Sequence, residues 1–134
     1  MVAIALTVVV ASCQALPGAG APRLEGSGWR AVDVGGLAPA AGSEPTAAFD
    51  GGRITGSTGC NAYEGGAIVR GSGIEIRGVA MTKIGCVGAT GDVEARFIAI
   101  LGSAVTVAIR TDGFLVLSGS DADLVLRPDA GVGR

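Results

Sequence analysis

The three cysteines are the residues of this sequence with the widest range of possible chemistry. Cys60 stands in Gly-Ser-Thr-Gly-Cys-Asn-Ala-Tyr, residues 56–63, and Cys86 ends Met-Thr-Lys-Ile-Gly-Cys, residues 81–86. Cys13 follows an apolar N-terminal run. A cysteine can be a nucleophile, a metal ligand or a disulfide partner, depending on the groups beside it. Each one therefore has to be interpreted with its neighbours.

The absence of histidine from the chain narrows that chemistry. It excludes Ser-His-Asp and Cys-His catalysis and most catalytic zinc sites. A nucleophilic Cys60 would need another activating group, and Lys83 is the only lysine. A glycosidase-like carboxylate pair, such as Glu64 with Glu75 or Glu94, stays open, although solvated strand faces explain these single carboxylates better. We predict no catalytic residue, no metal ion, no cofactor and no enzyme activity.

The N-terminus has the pattern of an export signal. Residues 1–12 are uncharged and apolar, too few for the ~20 residues of a bilayer span but enough for the apolar core of a signal peptide. Val10-Ala11-Ser12-Cys13 resembles the bacterial lipobox, whose cysteine becomes lipid-modified. No Lys or Arg precedes the run, which an upstream start codon would explain; a buried first strand is the alternative. We predict lipidation of Cys13 and an exported protein, membrane-anchored on the periplasmic or extracellular side.

Export sets the expectation for the other two cysteines. Once Cys13 is lipidated, Cys60 and Cys86 are the two thiols that remain, and an oxidising compartment favours their pairing. Closing a loop of roughly 25 residues would contribute about 3–3.5 kcal/mol in the chain-entropy picture. Two buried free thiols, packed as small apolar side chains, are the alternative.

Composition and length predict one folded domain with flexible ends. Residues 13–27 are rich in Ala, Gly and Pro and suggest a tether; residues 28–128 form the predicted domain, and residues 129–134 a disordered tail. The net charge is −2 and the arginines are scattered, which makes nucleic acid an unlikely partner. We expect a monomer.

Alternating apolar residues predict several short antiparallel strands. Asp112-Gly113 is a good hairpin turn between two of them. If the strands close into a barrel, inward positions such as Val107, Ile109 and Leu117 decide whether it holds a cavity. The predicted strands are 29–34, 47–49, 53–57, 66–70, 74–77, 79–82, 105–110, 114–117 and 123–127.

One segment has helical spacing instead. From Asp92 to Leu101 the apolar residues recur at i, i+4, i+7 and i+8. Thr90 or Asp92 can cap the start, Asp92 and Arg96 can pair, and Gly102 can end the helix. Ten residues need support from the sheet. The predicted fold is therefore mainly β, α+β at the margin: a small antiparallel barrel or strongly curved sheet with one short α-helix packed on it.

Two motifs, in this order and spacing, make the chain resemble the META domain family, also called HslJ-like. They are Gly-x-x-Gly-Cys-Asn-x-Tyr-x-Gly and an apolar-Thr-basic-apolar-small-Cys segment, in which Lys83-Ile84-Gly85 replaces the more usual Arg-Met-Ala. The resemblance implies a small β-barrel-like fold with a helix at one side and no established enzyme activity. The motif residues expected to be structural are Trp29, Gly56, Gly59, Asn61, Tyr63, Gly65, Thr82, Glu94 and Phe97.

The resemblance and the candidate residues together suggest three functions, in order of preference. The first is a non-enzymatic envelope lipoprotein, anchored through Cys13, that supports envelope stress tolerance by binding an envelope protein or an apolar ligand. The second is a lipid- or peptide-binding carrier, similar to a pilotin lipoprotein that helps secretin assembly. The third is a carboxylate-dependent hydrolase.

Overall fold

The computed structural model describes residues 22–134. Residues 1–21, and with them the predicted signal peptide, Cys13 and most of the predicted tether, lie outside this part. The described chain forms eight strands and one helix. They are β1 (Ser27–Val34), β2 (Thr46–Asp50), β3 (Arg53–Ser57), β4 (Ala62–Arg70), β5 (Gly73–Met81), α1 (Gly88–Ser103), β6 (Thr106–Ile109), β7 (Leu115–Ser118) and β8 (Asp123–Pro128).

The strands close into an antiparallel barrel in chain order. Each strand pairs with the next, and β8 pairs with β1 to complete the ring. This confirms the prediction of a mainly β barrel with one helix. The predicted strands 74–77 and 79–82 are one continuous strand, β5, which changes register against β4 between Glu64 and Gly66. A β-bulge of this kind bends a strand without ending it, so the sequence pattern appears broken where the strand continues.

Side chains fill the barrel interior. The inward positions of every strand are buried, and Val107 and Leu117, the two interior positions predicted correctly, face each other across β6 and β7. Ile109 was predicted to point inward with them but is 42% exposed. The reason is that β6 pairs with β5 only at Gly73 and Thr106, so the far end of β6 extends beyond the sheet that would cover it.

The helix is longer than its apolar spacing predicts. It begins at Gly88, after Val87, with no side-chain cap, so the predicted caps at Thr90 and Asp92 are wrong, and it continues one residue past Gly102. Its buried face is the predicted one, formed by Val93, Phe97, Ile100 and Leu101. Arg96 donates to the Gly35 carbonyl at 2.8 Å, and no ion pair joins it to Asp92 in the described residues.

The barrel has two distinct ends. The end that carries the loop 58–61, the segment 82–87 and the start of α1 is called the motif end below. The opposite end, called the terminal end, carries the start of β1, the 50–53 and 70–73 turns and the end of β8, as the strand registers require. Within residues 22–134 no helix has both the length and the apolar character that a membrane span needs.

The folded part is larger than residues 28–128 on both sides. Leu24 is buried, and the Gly26 N–H donates to the Phe49 carbonyl at 2.7 Å. Beyond β8, the Asp129 N–H donates to the Gly28 carbonyl at 2.8 Å, and the Asp129 carboxylate accepts from Arg30 Nε at 2.7 Å. Leu24 and Gly26, predicted to lie in the tether, thus pack on the barrel, and residues 129–132 also pack on it instead of forming a disordered tail. Polar, glycine-rich composition cannot distinguish such a packed segment from a free one.

Candidate functional site

Asn61 is the centre of the motif end. Its side chain is 2% exposed, and all its hydrogen-bonding capacity is used. Its Oδ1 accepts from the Thr82 hydroxyl at 2.9 Å and from the Ile84 N–H at 2.7 Å, and its Nδ2 donates to the Ile84 carbonyl at 3.1 Å and to Glu94 Oε2 at 2.8 Å. One buried amide therefore joins the β3–β4 loop to the 82–87 segment and to α1. The structural role expected for Asn61 agrees with this geometry.

Thr58 completes the cluster and was not singled out from the sequence. Its side chain is fully buried; its hydroxyl donates to the Glu94 carboxylate and accepts from the Asn61 N–H at 2.8 Å. Thr58 and Asn61 are the two buried polar side chains of residues 22–134. The signal available in the sequence was a threonine in the turn before Gly-Cys-Asn, because Ser and Thr hydroxyls often bond backbone a few residues on.

Cys60 and Cys86 form a disulfide beside this cluster, with Cα atoms 6.3 Å apart, within the usual range for such a bond. The predicted pairing is therefore present in the structure, and it connects the two loops that Asn61 also joins. The sulfurs and a Glu94 oxygen lie within 4.8 Å of one another. Sulfurs paired in a disulfide offer no thiolate. This trio therefore provides neither a cysteine nucleophile nor the thiolate ligands of a metal site.

Two motif glycines allow the end of β3 and the β3–β4 loop to lie against residues 43–46, at the start of β2. A Cβ atom on Gly56 would stand 2.2 Å from the Thr46 carbonyl oxygen, and one on Gly59 would stand 2.3 Å from that of Ser43. The backbone of Gly59 also has φ +94, a conformation that residues with a side chain rarely adopt. Gly65 lies at the bulge between β4 and β5. These glycines are required by backbone contact and by the bulge, and none of them forms a phosphate loop.

The aromatic motif residues belong to the core. Tyr63 meets Phe97 of α1 edge to face, with ring centroids 5.4 Å apart, and its hydroxyl donates to the Thr46 carbonyl at 2.7 Å. Burial raises the pKa of Tyr63 far above its ordinary value. Trp29 is also buried and donates from Nε1 to the Ser27 hydroxyl at 2.7 Å; it lies on β1, away from the Asn61 cluster.

The carboxylates considered for hydrolysis have separate partners. Glu64 pairs with Arg53 at 3.4 Å, and Glu75 accepts two hydrogen bonds from Arg77. Arg77 lowers the pKa of the Glu75 carboxyl. Glu94 accepts from Thr58 and Asn61 instead. Each of the three carboxylates is therefore engaged by its own set of partners.

The braced loop exposes apolar side chains. Ile84 is 64% exposed and Val87 is 89% exposed, on either side of Cys86, and Met81 is partly exposed at the end of β5. Lys83 is exposed between them. Because the disulfide and Asn61 both hold this segment, these side chains have a fixed backbone beneath them. The arrangement holds no evident reaction centre, but it can present a small apolar surface of defined shape.

Comparisons with known proteins agree with this description. Residues 22–131 match the META domain. A protein from Burkholderia xenovorans, solved by NMR, has TM-score 0.63 and 17% identity, and the match covers 92% of this chain and 99% of that one. A second NMR structure has TM-score 0.66 and 20% identity, covering 78% and 91%. At this identity the two structures support the fold. No curated protein matches the sequence significantly.

Proposed function

This chain belongs to the META domain family, and we propose that it is a non-enzymatic interaction module of the cell envelope, exported and held at a membrane through Cys13. The observation that carries the proposal is the way in which the polar side chains of the motif end are used. Asn61, Thr58 and Glu94 bond one another and the loops around them, and what they support is an exposed apolar segment. The proposal includes a role in envelope stress tolerance through binding an envelope protein, which is what the family resemblance suggests.

The exposed segment is suited to a protein partner. Apolar side chains that form a contiguous exposed patch mark interaction sites. Ile84 and Val87 offer such side chains, and Lys83 adds a positive charge at the edge. The loss of conformational entropy opposes association. A segment that a disulfide already holds loses less of this entropy on binding. The partner is therefore a protein surface with an apolar patch next to an acidic group.

The two ends of the barrel suit an anchored protein. Residue 22 and the start of β1 lie at the terminal end, so a lipid on Cys13 would hold that end towards the membrane. The residues between Cys13 and Pro22 span ~30 Å at most when extended. The motif end would then face away from the bilayer, where soluble or membrane-attached proteins can reach Ile84 and Val87. The disulfide also suits an oxidising compartment.

A second candidate, a pilotin-like carrier of an apolar ligand, is supported by a groove at the terminal end. Its volume is about 520 Å³, in the range of small-molecule sites. Leu24, Phe49 and Val69 supply apolar walls, and Arg23 and Arg53 stand at its margin. A lipid would have to bind there, on the outside, because side chains fill the barrel interior. The groove is open, whereas carriers usually enclose most of their ligand.

Export and anchoring are tested by metabolic labelling with an alkyne fatty acid. We expect the wild-type chain to be labelled and to fractionate with membranes, and the Cys13→Ala variant to be unlabelled. Cys60→Ala is the matched control and should keep its label. Equal labelling of the wild type and Cys13→Ala would contradict the anchor.

The interaction surface is tested by photo-crosslinking in the native envelope. A photoreactive residue at position 84 is compared with one at position 109, because Ile109 is also apolar and exposed but lies at the other end. We expect a discrete protein adduct from position 84 that disappears in Val87→Asp. A lipid adduct from position 69, with none from position 84, would favour the carrier instead.

A further inference from the structure

The charged side chains of the barrel are divided unequally between its two ends. Because the antiparallel strands pair in chain order, alternate connections lie at the same end, and the β6–β7 connection lies at the terminal end. The segments at that end carry six basic and four acidic side chains, a net charge of +2. The basic ones are Arg23, Arg53, Arg70, Arg110, Arg127 and Arg134. The acidic ones are Glu25, Asp50, Asp112 and Asp129.

The motif end has the opposite charge. Together with the β1–β2 and β7–β8 connections on its side, it carries two basic side chains, Lys83 and Arg96, and six acidic ones, a net charge of −4. The acidic ones are Asp33, Glu44, Asp92, Glu94, Asp121 and Asp123. The four charged residues in the strands between the two ends cancel one another. A total charge of −2 therefore conceals a positive end and a more strongly negative one.

Ion pairing leaves the terminal end with more free basic groups than free acidic ones. Its acidic groups Asp112 and Asp129 are paired, with Arg110 and Arg30. Four of its six arginines have no ion-pair partner within residues 22–134, and all four are exposed. They are Arg23, Arg70, Arg127 and Arg134. These guanidinium groups are available to anions outside the protein.

The β6–β7 turn projects from the same end. Thr106 pairs with Gly73 at the start of β5, and β6 runs antiparallel to β5, so residues 107–109 extend roughly 10 Å past that point. Ile109 is 42% exposed there, and the Arg110 guanidinium lies 5.3 Å from the centroid of the Phe114 ring. Arginine beside apolar and aromatic side chains suits the headgroup region of a bilayer, where the charge meets phosphate and the apolar part meets the lipid tails.

We propose that the terminal end contacts an anionic lipid surface, through its exposed arginines and the tip of the β6–β7 turn. The proposed anchor brings this end close to the bilayer, because residue 22 lies there, but a single flexible attachment does not set an orientation. The charge does. Charges screen over ~8–10 Å in physiological salt, so an anionic surface attracts the positive end while the negative end lies beyond its reach. The contact thereby holds Ile84 and Val87 away from the membrane.

The test measures contact with lipid directly. The chain is purified in the form that the expressing cell delivers and is reconstituted with vesicles of phosphatidylcholine, with or without roughly one third of phosphatidylglycerol. A photoreactive residue replaces Ile109 or, at the motif end, Ile84. We expect lipid adducts from position 109 to be at least about fivefold more abundant on the anionic vesicles, since each basic residue near such a surface is worth about that factor. Position 84 should give few lipid adducts on either, and high salt should remove the preference.

Charge reversal identifies the groups responsible. R23E/R70E changes two exposed arginines without ion-pair partners in residues 22–134, so it should leave the fold intact. We expect it to lower the adducts from position 109 on anionic vesicles at least about tenfold, because two attractive charges become repulsive. K83E/R96E is the matched control: it changes the net charge equally, at the motif end, and should keep the wild-type adducts.

The Cys13→Ala chain separates this contact from the anchor. With excess vesicles it should bind less than wild type but keep the preference for anionic lipid, and R23E/R70E should abolish that preference. A chain without lipid on Cys13 would contradict the anchor and leave the preference in place. Equal adducts from position 109 on the two kinds of vesicle, or R23E/R70E adducts equal to those of wild type, would overturn the lipid contact even if the anchor holds. A protein adduct from position 109 in the native envelope, in place of lipid, would also overturn it and assign this end to an acidic protein.

Discussion

The two ends of the barrel are held together by different means. At the motif end, buried polar side chains and a disulfide connect loops that are distant in sequence: Asn61 and Thr58 reach Glu94, and Cys60 reaches Cys86. At the terminal end, short turns connect adjacent strands, and the chain termini pack on the outside through backbone hydrogen bonds and the pair Arg30–Asp129. The first end depends on particular side chains, the second mainly on the backbone.

This difference explains where the motif residues lie. A turn such as Asp112-Gly113 satisfies its backbone locally, and many sequences can form it. The loops at the motif end instead leave the barrel and return through 82–87 into α1, so their polar backbone groups need partners that only defined side chains supply. We infer that the motif residues are the ones that meet this structural requirement. Its chemical appearance, two cysteines near a carboxylate, is a consequence of bracing.

The largest expected effect comes from removing the disulfide. The variant C60S/C86S should lose about 3.5 kcal/mol of unfolding free energy, because the unfolded chain is no longer closed over the loop between the two cysteines. Denaturant unfolding measures the loss, and reducing agent should destabilise the wild type but leave the variant unchanged. Asp129→Asn, which weakens the Arg30–Asp129 ion pair at the terminal end, should lower the free energy of unfolding far less. Equal losses of stability in C60S/C86S and in Asp129→Asn would contradict the difference between the two ends.

Removal of the buried amide should have the next largest effect. Asn61→Ala leaves the Ile84 N–H, the Thr82 hydroxyl and the Glu94 carboxylate without their shared partner. An unsatisfied buried group costs ~1–3 kcal/mol, but Thr82 and Ile84 are exposed and Glu94 keeps its bond to Thr58, so we expect a loss of about 2 kcal/mol. Ser72→Ala, in an exposed turn at the terminal end, is the control and should stay within ~0.5 kcal/mol. A loss below 1 kcal/mol for Asn61→Ala would show that the network is dispensable.

Much of the barrel could be predicted from local patterns, because alternation and turn residues act over a few positions. Leu124 and Leu126, for example, are buried as their spacing indicates. The helix length was underestimated because its first turn, Gly88-Ala89-Thr90-Gly91, contains two glycines and no large apolar residue that would extend the helical spacing. The exposure of Ile109 depends on where the pairing between β5 and β6 ends. Long-range contacts determine that point, and alternation in the sequence does not report them.

The members of the candidate site were predicted from the sequence, apart from Thr58, but the contacts between them were not. Asn61, Thr82 and Glu94 were identified as motif residues, and the structure brings them together with the disulfide. The bond from Glu94 to Thr58 joins residues of α1 and of the β3–β4 loop, and no periodicity relates such positions. Sequence patterns report which face a residue takes; they do not report which distant loop it will meet.

A smaller effect is expected where the motif end meets the core. Tyr63→Phe removes the hydrogen bond to the Thr46 carbonyl but keeps the ring contact with Phe97. We expect a loss of about 1 kcal/mol, the net value of one buried hydrogen bond. Phe97→Leu is the matched variant, since it removes the edge-to-face contact and keeps the hydroxyl. If Tyr63→Phe proved as costly as Asn61→Ala, the bracing would extend through β4 and not be confined to the loops.

The same tyrosine gives the smallest effect, visible only at high pH. Burial raises the pKa of the Tyr63 phenol in the folded protein, whereas an unfolded tyrosine ionises near pH ~10. The unfolded state therefore loses its proton first, so the stability present below pH ~10 declines as the pH rises above it. Tyr63 is the only tyrosine, so absorbance at 295 nm reports it alone. We expect phenolate to appear together with unfolding, and the stability of Tyr63→Phe to decline less over the same range. Gradual ionisation centred near pH 10 in the folded protein would mean that water reaches the ring, and that this end of the barrel is looser than its hydrogen bonds indicate.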